Sequence, residues 1–288
     1  MNWDDLKVFI AVARKKKLSA AAVDLKMDIT TISRRIKRLE KSLGQTLFER
    51  LRTGHVLTQN GQNLLVFSEQ VEMNIDVIRN TNTTSPHSLR GTIRISVAEG
   101  FGTEVLSPIL GKFSAQYPDV EIDLVSGSGF LSLSKREADI AIGLSPSKSK
   151  HINSTVLRNY SLHLYGHNEY LKSHPKIFAI DDLSQHTLID YVDDLIYSEE
   201  LRYFESVLPS QKVKIRTTSI MAQKKLVETG AGIAILPDFI MSPDFKKILP
   251  DEIHLERQFW FSSHKSTALL EKTKAFKAFA FSNLGDSA

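Results

Sequence analysis

Apolar residues recur at helical spacing from the start of the chain: Trp3, Leu6, Phe9, Ile10 and Ala13 predict a helix over residues 3–14. Asp4 and Asp5 fall in its first turn, where the helix dipole favours negative charge, and Lys15, Lys16 and Lys17 close it. Ser19 is placed to cap a short helix over 20–25, and Asp28 a third from Ile29 to about Leu43, which Gly44 ends. At about 100° per residue, Ile36, Leu39 and Leu43 all fall within about 40° of Ile32. Thr30, Arg34, Lys37, Arg38 and Lys41 lie between roughly 140° and 240° away, so the third helix has an aliphatic face and a basic one. Short β-like stretches at 46–50 and 55–58 flank the turn signal Thr53-Gly54. Three helices and a hairpin make a winged helix-turn-helix. Thr58 then caps a long helix over 59–80, whose narrow apolar stripe is Leu64, Phe67, Val71, Ile75 and Ile78. Such a stripe suits a dimerisation seam better than a globular core.

Residues 80–88, with repeated Thr and Asn and with Pro86, read as a linker. Beyond Gly91 strands and helices alternate. Strands are predicted at 93–97, 120–125, 139–142, 155–165, 187–191, 213–217, 233–236 and 253–261. Helices are predicted at 102–117, 130–135, 198–207, 219–229 and 269–281. The alternation predicts an α/β architecture with mostly parallel sheets, in two subdomains. The chain is expected to cross between them near 159–161 and return near 262–264.

Charge sharpens this division. The 288 residues carry a net charge of +4. Residues 1–60 hold 13 Lys and Arg against 6 Asp and Glu, a net of +7, while the other 228 hold 24 against 27. A basic head on a nearly neutral body suggests a polyanion-binding module. With 42% hydrophobic residues the chain can bury ordinary cores. No cysteine is present, which excludes disulfides, thiolate nucleophiles, Cys-ligated metals and a thiol redox switch. The acidic start Met1-Asn2-Trp3-Asp4-Asp5 is unlike a signal peptide, and no apolar run is long enough to span a membrane, so a cytoplasmic location is expected.

Enzymatic motifs do not assemble. Gly100-x-Gly102 lacks the third glycine or alanine of a dinucleotide fingerprint, Val105 standing there, and reads as a tight turn at a cleft edge. Ser126-Gly127-Ser128-Gly129 has the wrong order for a nucleophile elbow. His163 and His167 straddle a strand end, and no metal or cofactor is expected. Asp193-Asp194 and Glu199-Glu200 read as a solvated acidic stretch.

Several runs of residues resemble the LysR-type transcriptional regulators across nearly the whole chain. They include Ser19-Ala20-Ala21-Ala22-x-x-Leu25, Thr31-Ile32-Ser33-Arg34-Arg35-Ile36-Lys37-Arg38-Leu39-Glu40 and Leu43-Gly44-x-x-Leu47-Phe48-Glu49-Arg50. Leu57-Thr58-x-x-Gly61 completes the first pattern; Tyr117-Pro118-Asp119-Val120, residues 137–141 and residues 230–237 are similar to the family's effector domain. The resemblance implies a homodimer or homotetramer that binds double-stranded promoter DNA, responds to a small-molecule effector and meets RNA polymerase. It also implies an effector domain like a periplasmic binding protein. Its domains would be 1–58 (winged helix-turn-helix), 59–88 (linker helix and hinge) and 89–288. The last comprises subdomain I, 89–160 with 264–288, and subdomain II, 161–263.

A recognition helix presents its first residues to base edges. Thr30, Thr31, Ser33 and Arg34 hold those positions, with Arg35, Lys37, Arg38 and Lys41 beyond them and Arg50 and Arg52 at the wing. Ile29 departs from the family's frequent Gln, and is expected to be partly buried. Ligands in open α/β sheets meet strand C-termini and helix N-termini. That rule singles out Ala98, Glu99, Gly100, Phe101, Thr103, Ser126, Ser128, Phe130, Leu144, Tyr191, Thr218 and Ser219. Glu99 either faces solvent or, facing the cleft, repels anions and favours a neutral or amine-bearing effector over a simple dicarboxylate. The alternative function is a constitutive DNA-binding regulator with a ligand-free α/β domain.

Overall fold

In a computed structural model, residues 2–51, 54–80, 89–127, 133 and 137–284 are described, and the chain divides into two units, Met1–Thr83 and Thr84–Ala288. In α1 (Trp3–Lys15) the Asn2 side chain accepts the Asp4 N–H, and Lys16 closes the helix in the left-handed region. The next helix, α2 (Leu18–Leu25), starts one residue before Ser19, so Ser19 lies within the first turn and cannot cap it; Lys17 holds the cap position without a side-chain bond. Asp28 precedes α3 (Ile29–Leu43) but its side chain makes no capping bond either. Gly44 ends α3 at φ +65°, a conformation glycine adopts without strain.

The wing is the antiparallel pair β1 (Phe48–Leu51) and β2 (Gly54–Leu57), with Phe48 opposite Leu57. Residues 52 and 53 at its tip lie outside the described residues. Thr58 starts α4 (Gln59–Asn80): its hydroxyl accepts the Gly61 N–H at 3.0 Å and donates to the Thr46 carbonyl at 2.7 Å. The helical periodicity of α1 and α3 converges on one core. Phe9, Ile32 and Leu39 have no exposed surface, and the Phe9 ring meets Phe48 of the wing at 5.4 Å. Each such side chain contributes about 1.5–3 kcal/mol by burial, which is what fixes α3 against α1.

The second unit follows the path β3 (Gly91–Val97), α5 (Glu99–Phe101), a π-turn over Gly102–Leu106, α6 (Ser107–Gln116), β4 (Val120–Ser126), β5 (Ile140–Gly143), β6 (Ile152–His167) and α7 (Asn168–Ser173). It continues through β7 (Leu188–Tyr191), α8 (Tyr203–Val207), β8 (Val213–Thr217), α9 (Ile220–Glu228), β9 (Ile233–Pro237), β10 (Phe245–Ile248), β11 (His254–His264) and α10 (Glu271–Leu284). The helix expected over 198–207 is broken at Arg202 into a 3-10 turn and α8. The one expected over 130–135 falls almost wholly outside the described residues, as does the linker over 81–88.

The described strands form one sheet in the order β4-β3-β5-β11-β6-β9-β7-β8, with β10 on β6. Its two arms are parallel, β3 with β4 and β5, and β7 with β8 and β9. The long strands β6 and β11 pair antiparallel to each other, and antiparallel to β9 and β5. The sheet is therefore mixed, not mostly parallel, because the two crossing strands run in opposite directions. A bulge between Phe259 and Trp260 lets β11 change direction. Pairing with β5 runs from Trp260 to Ser263.

Candidate functional sites: a basic helix face and an aromatic cleft

The head presents α3 through three ties. Leu39 and its stripe are buried in the core. The Glu40 carboxylate accepts the backbone N–H groups of Leu47 at 2.8 Å and Phe48 at 3.3 Å, coupling α3 to the wing. Buried Asp5 on α1 accepts from the Arg38 guanidinium, at 2.7 Å from Nε and also from Nη2.

These ties divide the predicted DNA-binding residues. Thr30, Arg34, Lys37 and Lys41 are exposed, and Thr31 and Ser33 half-buried, at the N-terminal end and outer face of α3. Arg35 is turned toward α1, its Nη1 3.7 Å from Asp4 and 3.9 Å from Asp5. Arg35 and Arg38 therefore tie α3 to α1, and the Arg38 side chain stays 59% exposed on the same helix as Lys37 and Lys41. Ile29 is 50% exposed, half covered in the first turn at the edge of the aliphatic stripe. Arg52 and the side chain of Arg50 lie outside the described residues. On α4, Phe67 (64%) and Val71 (40%) are exposed. Leu64 packs on the head's own core and Ile75 is half-buried. The side chain of Ile78 lies outside the described residues.

In the second unit a cavity of about 400 Å³, mouth included, opens beside the junction of β3 and α5. Ala98, Glu99, Gly100, Phe101, Leu144, Tyr191 and Thr218 line it, as the sequence rule predicted. Thr103 and Ser126 are exposed and are not among the residues that line it, although Gly127 next to Ser126 is. Ser128 and Phe130 lie outside the described residues. Ser219 enters through Glu99. The Glu99 carboxylate accepts the Ser219 hydroxyl at 2.8 Å and the Ile220 backbone N–H at 3.1 Å. The same Ser219 oxygen accepts the Ala222 N–H at 3.0 Å and so caps α9. A Cβ at position 100 would lie 3.1 Å from Ile220, so glycine there lets α5 approach α9 closely. Glu99 thus faces the cleft, not solvent.

The remaining wall is aromatic. Phe101 and Phe259 rings lie 4.2 Å apart and Phe259 stacks on Tyr160 at 4.3 Å. Phe239 stands edge-on to Tyr160 at 5.7 Å, and Tyr191 edge-on to Tyr203 at 5.9 Å. Burial raises the hydroxyl pKa values of Tyr160, Tyr191 and Tyr203. Burial, and then the charge of Glu99, pushes Tyr197 up to about 12. All four stay neutral near pH 7. Among the described residues no cluster of His, Asp and Glu could hold a metal ion, and no helix is long and apolar enough to cross a membrane.

Residues 3–62 match the family model described as "Bacterial regulatory helix-turn-helix protein, lysR family", and residues 86–284 match "LysR substrate binding domain". The chain belongs to the LysR family. That family consists of transcriptional regulators, not enzymes. The chain is 35% identical to the HTH-type transcriptional activator IlvY of Salmonella typhimurium over 149 residues, 51% of this chain and 50% of that protein. The chain thus spans about half the length of this relative. It is 25% identical over 253 residues to the HTH-type transcriptional regulator CrgA of Neisseria meningitidis serogroup C, covering 86% of this chain and 84% of that one. The solved structure of CrgA from Neisseria meningitidis, described as a LysR-type transcriptional regulator, covers 99% of this chain and 100% of its own, with TM-score 0.61 and 22% identity. It shows the shared fold.

The LysR-family match does not reveal the aromatic wall. Tyr160, Tyr197, Tyr203, Phe239 and Phe259 line the cavity and were not anticipated. Tyr160 and Phe259 sit on the two crossing strands, Tyr197 and Tyr203 around the broken helix. One signal was available: the long strands β6 and β11 lie at the middle of the sheet, so their aromatic residues are candidates for the cavity wall.

Proposed function

We propose that this chain is a transcriptional regulator that reads promoter DNA through α3 and responds to a small molecule bound in the cleft. The observation that carries the reading is the exposed polar and basic face of α3, opposite the buried Ile32, Ile36 and Leu39, in a chain of the LysR family. Thr30, Thr31, Ser33 and Arg34 take the base-contacting role, hydroxyls bonding either base type and Arg pairing bidentately with guanine. Lys37 and Lys41 take phosphate, with Arg50 and Arg52 adding contacts from the wing. Exposed Ile29 supplies an apolar contact for a thymine methyl group. Exposed Phe67 and Val71 support pairing of two chains along α4, and a paired head reads two half-sites. The functional form is a homodimer or homotetramer acting in the cytoplasm, where RNA polymerase is its further partner at the promoter. The effector domain spans 89–288.

Mapping the genomic sites bound by the full-length protein tests this reading. The expected result is a shared, roughly palindromic sequence with half-sites about one or two helical turns apart. Binding scattered without a common sequence contradicts it. A constitutive regulator remains the second reading, favoured by one observation: Glu99 already fills the helix N-terminus where a ligand's anion docks.

A further inference from the structure

A helix N-terminus at the mouth of an α/β cleft is a ready seat for an anion. Here that seat, at α9, is taken by the protein itself. Glu99 reaches across the cleft to the Ser219 hydroxyl and the Ile220 N–H, so both of the groups that would receive a ligand carboxylate are already bonded. An entering anion would have to displace Glu99 or sit against its charge. Among the described residues no Lys, Arg or His lines the cavity to offset that charge. The charge of Arg257 acts on Tyr160 and Tyr203, but Arg257 does not line the cavity.

What remains of the chamber suits the opposite charge. Aromatic faces are electronegative and attract cations, most strongly where water is excluded. Phe101, Tyr160, Tyr191, Tyr203 and Phe259 are all at most 7% exposed. A carboxylate beside such rings adds a full negative charge, and its unused lone pairs can still accept N–H donors. The space open to the centres of water molecules is about 30 Å³, room for about two waters. The site is therefore matched to a compact head group.

We propose that Glu99 is a built-in counter-ion, and that the cleft selects a small organic ammonium group and rejects carboxylates. The inference rests on the reading of this cavity as the effector site. Binding is charge-selective and size-limited: a small primary ammonium fits the chamber. Glu99 keeps the α9 seat filled whether or not the ligand is present.

Thermal unfolding of the full-length protein at matched ionic strength tests this with ethylammonium, acetate and ethanol as probes, run on wild type, Glu99→Gln and Glu99→Ser. Wild type is expected to be stabilised by ethylammonium and not by acetate or ethanol. Both variants should lose at least tenfold in apparent ethylammonium affinity, and Glu99→Ser, which vacates the α9 seat, should gain a response to acetate. Calorimetric titration of wild type with ethylammonium checks binding independently of how stable the variants are. Stabilisation of wild type by acetate, or by ethanol as strongly as by ethylammonium, overturns the charge selectivity while leaving the effector site in place. Silence of all three probes on all three proteins overturns both.

Discussion

Replacing Asp190 by Asn should change how the second unit's stability depends on pH. Asp190 lies on β7, on the strand face opposite that of cavity-lining Tyr191. It is 6% exposed and its Oδ1 has no hydrogen-bond partner. Burial, and secondarily the charge of Asp193, pushes its carboxyl from the ordinary 3.8 to about 6, although Arg216 beside it pulls the other way. A carboxyl whose pKa is higher folded than unfolded binds its proton more tightly in the folded state. The folded protein is thus penalised as pH rises through the window from 3.8 to about 6, and the full penalty persists above it. At 1.36 kcal/mol per pH unit the full penalty is about 3 kcal/mol, of which about 2 kcal/mol develops between pH 4.5 and 7.5. Asn cannot ionise, so the stability difference between Asp190→Asn and wild type should shift in the variant's favour by about 2 kcal/mol over that range. Urea unfolding in a Trp3→Phe background reads this cleanly, since Trp260 then reports on the second unit alone. Parallel pH profiles for the two proteins would show that Asp190 is not the buried, proton-hungry group inferred here.

Other consequences are open to direct measurement. Alanine normally stabilises a helix over glycine by about 1 kcal/mol, and Gly111→Ala in α6, with open space around it, should gain about that much. Gly61→Ala should reverse the sign and lose about 1–3 kcal/mol, because its Cβ would lie 2.2 Å from the Leu47 carbonyl oxygen; a melting temperature at or above wild type contradicts the packing of α4 on the wing. Phe67→Asp should weaken self-association at least tenfold in sedimentation equilibrium, and an unchanged oligomer would remove α4 from the interface.

How much of this was legible in the sequence depended on the range of the interactions. The Thr58 cap, the Gly44 stop and the two faces of α3 are fixed by neighbours within a turn or two, and periodicity alone locates them. The division of labour among the α3 cations was not visible, because it depends on Asp5, which lies 33 residues from Arg38. Glu99 was ambiguous for the same reason: its partner Ser219 is 120 residues away. The Ser19 cap failed because α2 begins two residues earlier than the hydroxyl suggests. The short elements α7 and β10 carry too few residues for a period to register, and β10 exists only by pairing with β6. The aromatic chamber was hidden most completely, since its rings come from five separated stretches brought together by the crossing strands.

The central claim is that the exposed face of α3 reads DNA sequence, and equilibrium binding across a salt series tests it most directly. Full-length wild type, Arg34→Ala and Lys41→Ala would be titrated against a selected genomic site and against a scrambled duplex. Arg34→Ala should lose about 1–3 kcal/mol on the selected site with little change on the scrambled one. Lys41→Ala should weaken both alike and lower the salt slope by about one. Equal losses for the two variants on both duplexes, or no salt-dependent binding by wild type, would contradict the account.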